Sequence, residues 1–148
     1  MHIHISIKDQ SLTLTHNGEL VATYIISSAS NGIGCEEGSY CTPTGRFEIR
    51  EKIGGGAELG TVFRSRKPER IWTGEEDEGD LVLTRILRLD GMDPENANSM
   101  ERYIYIHGTN HENTLGTPAS CGCIRMGNTD VADLYDRVLE GTSVVIEE

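Results

Sequence analysis

Basic residues are scarce in this chain: 13 Lys and Arg stand against 24 Asp and Glu, a formal net charge of −11 over 148 residues. Neutralising a row of phosphates needs the opposite balance, which argues against nucleic acid as a partner. It argues equally against an anionic polymer or membrane surface. Aromatic residues are also few, at 5%, so a core must be built mainly from Ile, Leu and Val. No apolar run approaches the roughly 20 residues of a membrane span. The opening "MHIHISIKDQ" lacks the basic segment, apolar segment and small-residue cleavage site of a signal peptide. Taking Met1 as the start, that predicts a cytoplasmic protein, in which the four cysteines are expected as thiols and not as a disulfide framework. Internal repeats and linkers are missing as well.

What is there suits one domain spanning residues 1–148, of a length able to bury its own core. The segments "HIHISI" (2–7) and "SLTLTH" (11–16) alternate with period two, "NG" (17–18) marks a hairpin turn, and "ELVATYIIS" (19–27) is the partner strand. Further strands are expected over 46–52, 80–89, 102–108 and 142–148, with a long Gly- and Ser-rich loop over 28–45. "IGGGAELG" (53–60) lacks the spacing and Lys of a phosphate-binding loop and is expected as a turn or as part of a lid within 53–79. One helix is predicted over 128–141, capped by Asn128 or Thr129 and ended by Gly141, with Val131, Leu134, Tyr135, Val138 and Leu139 on its apolar face. The acidic runs, "EEDEGD" (75–80) among them, are expected as solvated faces. The fold class that follows is mostly β with one substantial helix near the C-terminus.

The chemistry concentrates in "IHGTNHENTLGTPASCGCIRM" (106–126). A cysteine nucleophile needs a base, a group to orient that base, and donors for an oxyanion. His107 follows the apolar strand residues "YIYI", which places its ring at a rigid strand end. Cys123 follows Gly122, whose freedom permits a sharp turn that bares backbone N–H groups. A neighbouring His⁺ and Arg125 would give the thiol thiolate character. Gly108, Gly116 and Pro118 suit a loop that folds back on the strand.

The wording around this pair is specific. "HGT" followed by S-x-G-C-I-R-M resembles the catalytic signature of the L,D-transpeptidase catalytic domain, or YkuD, family. "LTLTHNGELVATYIISSAS" is similar to that family's opening hairpin, "TPTGRFEI" (42–49) to its turn into a sheet, and "RYIYIHGTN" to its histidine strand. The resemblance implies a β-sandwich or barrel-like domain and a catalytic set. Cys123 would be the nucleophile forming a thioester, His107 the base and then the acid, and the Gly108 carbonyl the group that orients the imidazole. The amides of Gly122 and Cys123 would supply the oxyanion donors. Ser120 would shape the loop, and Arg125 would hold it or meet a substrate carboxylate. Ser120, Arg125, Asn110 and Tyr40 are the candidates for substrate contact. The family uses no metal or organic cofactor. One departure is Cys121, where the family often has histidine; a Cys121–Cys123 bridge would be strained, so a free thiol is expected.

Other residues have plainer readings. His111 is expected as loop polarity, and His2, His4 and His16 as surface positions on the first hairpin. Arg85 and Arg88 cannot both lie on one strand face, so at most one points to the site. Cys35, Cys41 and Cys121 are spaced more loosely than known zinc ligands. By resemblance the substrate is a peptidoglycan stem tetrapeptide or soluble muropeptide ending in diamino acid–D-alanine, with carbapenems as covalent inhibitors. The predicted location favours an L,D-carboxypeptidase of peptidoglycan recycling. An L,D-transpeptidase and a non-catalytic muropeptide-binding module are the alternatives.

Overall fold

Alternating apolar residues set the strands. In β1 (His2–Ser6) and β2 (Ser11–His16), Ile3, Ile5, Leu12 and Leu14 are fully buried while their neighbours are partly exposed, the period of a half-buried sheet. Asn17 and Gly18, both at positive φ, turn the chain into β3 (Glu19–Ser27). There follow β4 (Gly45–Ile53), β5 (Thr61–Arg64), β6 (Lys67–Ile71), β7 (Val82–Gly91), β8 (Tyr105–Gly108), β9 (Ile124–Met126), helix α1 (Asn128–Arg137) and β10 (Ser143–Glu147). The computed structural model describes all 148 residues.

The strands run in the hydrogen-bonded order β4–β10–β1–β2–β3–β9–β8–β7, and β7 then pairs back to β4. Eight strands thereby close into a barrel, with β5 and β6 attached to β7 as a hairpin. Closure leaves little free edge, and β6 protects the edge that remains with Lys67, Pro68 and Glu69. One face of the barrel strands gathers a core of 19 buried residues, in which Tyr24, Phe47 and Met126 are the only members that are not Ile, Leu or Val. No helix is long and apolar enough to cross a membrane.

Three expectations change. The helix stops at Arg137; Val138 is extended, Leu139 is 75% exposed, and Gly141 belongs to the turn into β10, where its N–H donates to the Ile49 carbonyl. Gly127 takes the cap position, because the Asn128 side chain is turned toward the strands. Residues 61–71, unassigned by pattern, form the β5–β6 hairpin, whose turn has Ser65 and Arg66 at positive φ.

That hairpin covers the second face of β7 and β8. Phe63 packs with Ile86 and Tyr105 there, and all four residues of β8 are buried as a result. Phe63→Ala should cost the low end of the about 3–5 kcal/mol typical of a buried phenylalanine. Amide exchange should speed up in β5 and β6 before the barrel strands; unchanged protection of the hairpin would show that Phe63 does not anchor it.

Candidate active site

The parallel register of β8 with β9 decides which side chains meet. It pairs Ile106 with Ile124 and His107 with Arg125. Partners in a parallel ladder share a face, so Ile106 and Ile124 join the barrel core while His107 and Arg125 lie on the opposite side. Cys123, two residues before Arg125, falls on the side of His107 and packs against the Phe63, Ile86 and Tyr105 cluster. The intervening loop contains a single 3-10 turn, Glu112–Thr114.

His107 is 1% exposed. Its Nδ1 lies 2.6 Å from the Gly108 carbonyl oxygen. A carbonyl can only accept, so Nδ1 carries the proton and Nε2 is left with its lone pair, the tautomer a general base requires. Gly108 cannot be larger, since a Cβ there would lie 2.4 Å from Asn128 Oδ1 and 2.7 Å from the Leu83 carbonyl oxygen.

The Cys123 loop is stapled from inside. Gly122 has φ +132°, a conformation that favours glycine, and its carbonyl accepts from Thr42 Oγ1 at 2.9 Å. Ser120 is 1% exposed; its hydroxyl donates to the Cys123 carbonyl at 2.6 Å and accepts the Gly122 N–H at 3.2 Å. With its proton committed to the Cys123 carbonyl, Ser120 shapes the loop. The bond from the Gly122 N–H occupies one of the two expected oxyanion donors, leaving the Cys123 N–H as the one without an acceptor. The Cys123 thiol donates to the Tyr103 carbonyl and accepts the Tyr105 N–H, both at 3.3 Å. No hydrogen bond joins it to His107, and such catalytic contacts commonly tighten only around substrate.

Electrostatics act against the expected thiolate. Burial pushes the Cys123 thiol up to about 12, outweighing the Tyr105 N–H that would lower it. Burial likewise holds the His107 imidazole below its ordinary value, against the Asp80 carboxylate and the Gly108 hydrogen bond, which raise it. The resting pair is therefore neutral thiol and neutral imidazole. Arg125 does little to change this because its Nε is paired with Asp80 at 3.1 Å, with the Arg125 side chain only 6% exposed. Asp80 is a residue the sequence reading missed: it ends the acidic run taken as solvated, and its place just before β7 was the available signal.

The remaining candidates divide. Tyr40 is 61% exposed and lines, with Tyr103 and Cys121, a cleft of about 300 Å³ that ends on Cys123. Arg102 holds the loop carrying Tyr40 through the Gly34 and Cys41 carbonyls at 3.2 and 2.8 Å. Asn110 does not face the cleft: its side chain accepts the Leu81 N–H and donates to the carbonyls of Asp77 and Gly79, clamping the loop before β7. His111 bonds the same Gly79 carbonyl. Arg85 turns to the Ala57 carbonyl and the Tyr135 ring, whereas Arg88 reaches Glu51 and the face of Tyr103 at the cleft wall. All four cysteines are free, and no three His, Cys, Asp or Glu side chains are arranged to hold a metal ion.

These shifts have measurable signs. In a Cys35→Ser/Cys41→Ser/Cys121→Ser protein, alkylation of Cys123 should rise about tenfold per pH unit from neutrality upward with no plateau below about pH 10; a plateau near pH 7 would mean a preformed ion pair. A depressed imidazole stabilises the fold fully above the ordinary histidine value of about 6.5, and that contribution is lost as pH falls below it. The Tm of the wild type should accordingly drop more steeply with acidification in that range than the Tm of His107→Gln.

Over residues 1–146 the chain matches the L,D-transpeptidase catalytic domain (YkuD) family. It is 32% identical over 145 residues to the YkuD protein of Bacillus subtilis strain 168, covering 98% of this chain and 65% of the relative. It is 37% identical over 113 residues to YqjB of the same strain, covering 59% of this chain and 64% of that protein. The chain thus spans just under two thirds of the length of these curated relatives. An L,D-transpeptidase from Mycobacterium smegmatis superposes with a TM-score of 0.64 at 17% identity, over 99% of this chain and 58% of that one. The L,D-transpeptidase LdtMt1 in complex with imipenem gives 0.62 at 20% identity, over 98% and 57% of the two chains. The Ldtfm–avibactam carbamoyl enzyme gives 0.63 at 18%, over 99% and 48%. Those three likenesses are of fold, and the family match along nearly the whole sequence carries the assignment: this chain belongs to the L,D-transpeptidase catalytic domain family.

Proposed function

We propose that this domain is a cysteine-nucleophile L,D-carboxypeptidase that removes the terminal D-alanine from soluble peptidoglycan tetrapeptides. One observation carries the chemistry: partly buried Cys123 packs on the side of β8 that carries His107, with Nδ1–H committed to Gly108 and Nε2 free to take a proton. Because the thiol starts protonated, its proton moves to His107 Nε2 as sulfur attacks the carbonyl of the diamino acid. The Cys123 N–H meets the oxyanion. Collapse breaks the C–N bond, His107 returns the proton to the departing D-alanine amine, and a thioester remains. Water deprotonated by His107 then attacks the thioester, releasing tripeptide and the thiol.

The cleft suits such a substrate, since Glu37 and Glu101 line it without ion-pair partners and complement the ammonium of a diamino acid side chain. Hydrolysis in the cytoplasm is favoured by the net charge of −11, which discourages contact with an anionic wall, and by four unbridged cysteines. Transpeptidation to a second stem is the other reading, supported by the solved L,D-transpeptidases that share this fold. The solved structures of LdtMt1 with imipenem and of the Ldtfm–avibactam carbamoyl enzyme are consistent with covalent inhibition, which here would fall on Cys123.

Mass spectrometry of a diaminopimelate tetrapeptide incubated with the protein tests this, with Cys123→Ala and excess D-methionine in parallel. Tripeptide formation that is abolished in the variant and little diverted by D-methionine is expected. Abundant D-methionine exchange or dimer would instead establish a transpeptidase, and an untouched tetrapeptide with no imipenem adduct would leave only a binding module.

A further inference from the structure

Between Leu83 and Ile86 the pairing of β7 with β8 slips: Leu83 lies opposite Gly108 and Ile86 opposite His107, so Thr84 and Arg85 bulge out beside the His107–Gly108 step. Thr84 is fully buried at φ +73°, a conformation that a β-branched residue rarely holds without a reason. Its hydroxyl accepts the Gly60 N–H at 3.0 Å and donates to Asn128 Oδ1 at 2.6 Å. Asn128 Nδ2 in turn donates to the Thr109 carbonyl at 2.9 Å, while its Oδ1 sits against the Cα of Gly108, where a Cβ would collide. Asn128 therefore flanks the Gly108–Thr109 step, whose Gly108 carbonyl orients the imidazole, with its Oδ1 packed at Gly108 and its Nδ2 on the Thr109 carbonyl.

We propose that Thr84 and Asn128 are positioning residues for His107, joined by the Thr84 hydroxyl to Asn128 Oδ1 bond so that the Gly108 carbonyl is aimed at Nδ1. This rests on His107 being the base of the proposed reaction. A purely architectural bulge would only let β7 change partners from β4 to β5. Such a bulge needs the backbone shape but no hydroxyl shared between a loop amide and an asparagine. The charged groups that act on His107 are Asp80, just before β7, and Arg125 on β9; neither hydrogen-bonds Thr84 or Asn128, so substitutions at those two leave the local charges in place.

The test compares Thr84→Val, which keeps the branch and loses the hydroxyl, with Thr84→Ser, which keeps the hydroxyl. Nitrogen-15 NMR of the imidazole reads tautomer and titration without turnover, and tetrapeptide kinetics read function. In wild type and Thr84→Ser a single Nδ1–H tautomer with a depressed titration is expected. In Thr84→Val mixed tautomers and a titration closer to the ordinary histidine value are expected, with kcat down about 10- to 100-fold and KM within about twofold. A folded Thr84→Val with wild-type imidazole signals overturns the proposal, as does a Thr84→Ser as damaged as the valine variant. Should Thr84→Val not fold, Asn128→Ala is judged on the same two readouts. If the imidazole responds as expected while wild type leaves tetrapeptide intact, the positioning stands and the carboxypeptidase reading falls. Turnover with an indifferent imidazole has the opposite meaning.

Discussion

Everything at this site depends on the parallel ladder between β8 and β9. A parallel pair cannot be joined by a short hairpin, so the chain must leave β8 after Gly108, loop outward and return in the same direction to Ile124. That return brings two residues 16 apart in sequence onto one face with no need for either to sit on a flexible tip. A one-residue slip of β8 would turn His107 into the barrel core and expel Ile106, and a slip of β9 would do the same to Arg125 and Ile124. The hydrophobic core thus enforces the catalytic arrangement: unpacking the first is the only way to lose the second by slippage.

The second constraint is dryness. β8 is covered on one side by the barrel core and on the other by Phe63 and Ile86, and that cover desolvates both reacting groups. The thiol is held up and the imidazole down, so both prefer their neutral forms. An active site with a resting ion pair keeps a strong nucleophile always exposed to alkylators and oxidants. In the proposed reaction the nucleophile is produced only when substrate brings Nε2 and sulfur together, and the Tyr103 carbonyl and Tyr105 N–H hold the thiol until then. The Asp80–Arg125 pair belongs to the same economy, because a lone buried guanidinium would pull the thiol toward thiolate.

Much of this was legible in the sequence, for identifiable reasons. Period-two runs such as "HIHISI" and "SLTLTH" report one buried face directly, and the motif around Cys123 reports a family. The hairpin over 61–71 was not legible, because "KPERI" is an edge strand exposed at every position and has no alternation to detect. The end of α1 was misjudged because Val138 and Leu139 continue the helical spacing, while the Gly141 bond to Ile49 pulls the chain into the sheet early. Ser120 and Asn110 were read by proximity in sequence as substrate contacts. Their side chains are instead consumed by backbone partners within their own or the adjacent loop, which spacing cannot reveal. Asp80 and Thr84 come from a segment remote from Cys123 and are brought near by barrel closure, while Asn128, just after β9, was read as a helix cap because spacing cannot show its side chain turning to Thr84 and Thr109.

Barrel closure also explains how the site keeps its awkward geometry. Thr84 sits at φ +73°, Gly122 at +132°, Arg85 Nε is buried without a partner, and His107 is buried away from water. A strained backbone residue costs about 1–3 kcal/mol, and an unsatisfied buried donor a similar amount. These departures lie in the bulge of β7, in β8 and in the loop before β9, and not in β1, β2 or β10, which pair in unbroken register with one another. The regular half of the barrel has no exposed edge through which to relax, so it can hold the irregular half in place. Geometry that would unwind in an isolated sheet is thereby kept at the one place where an imidazole must be aimed.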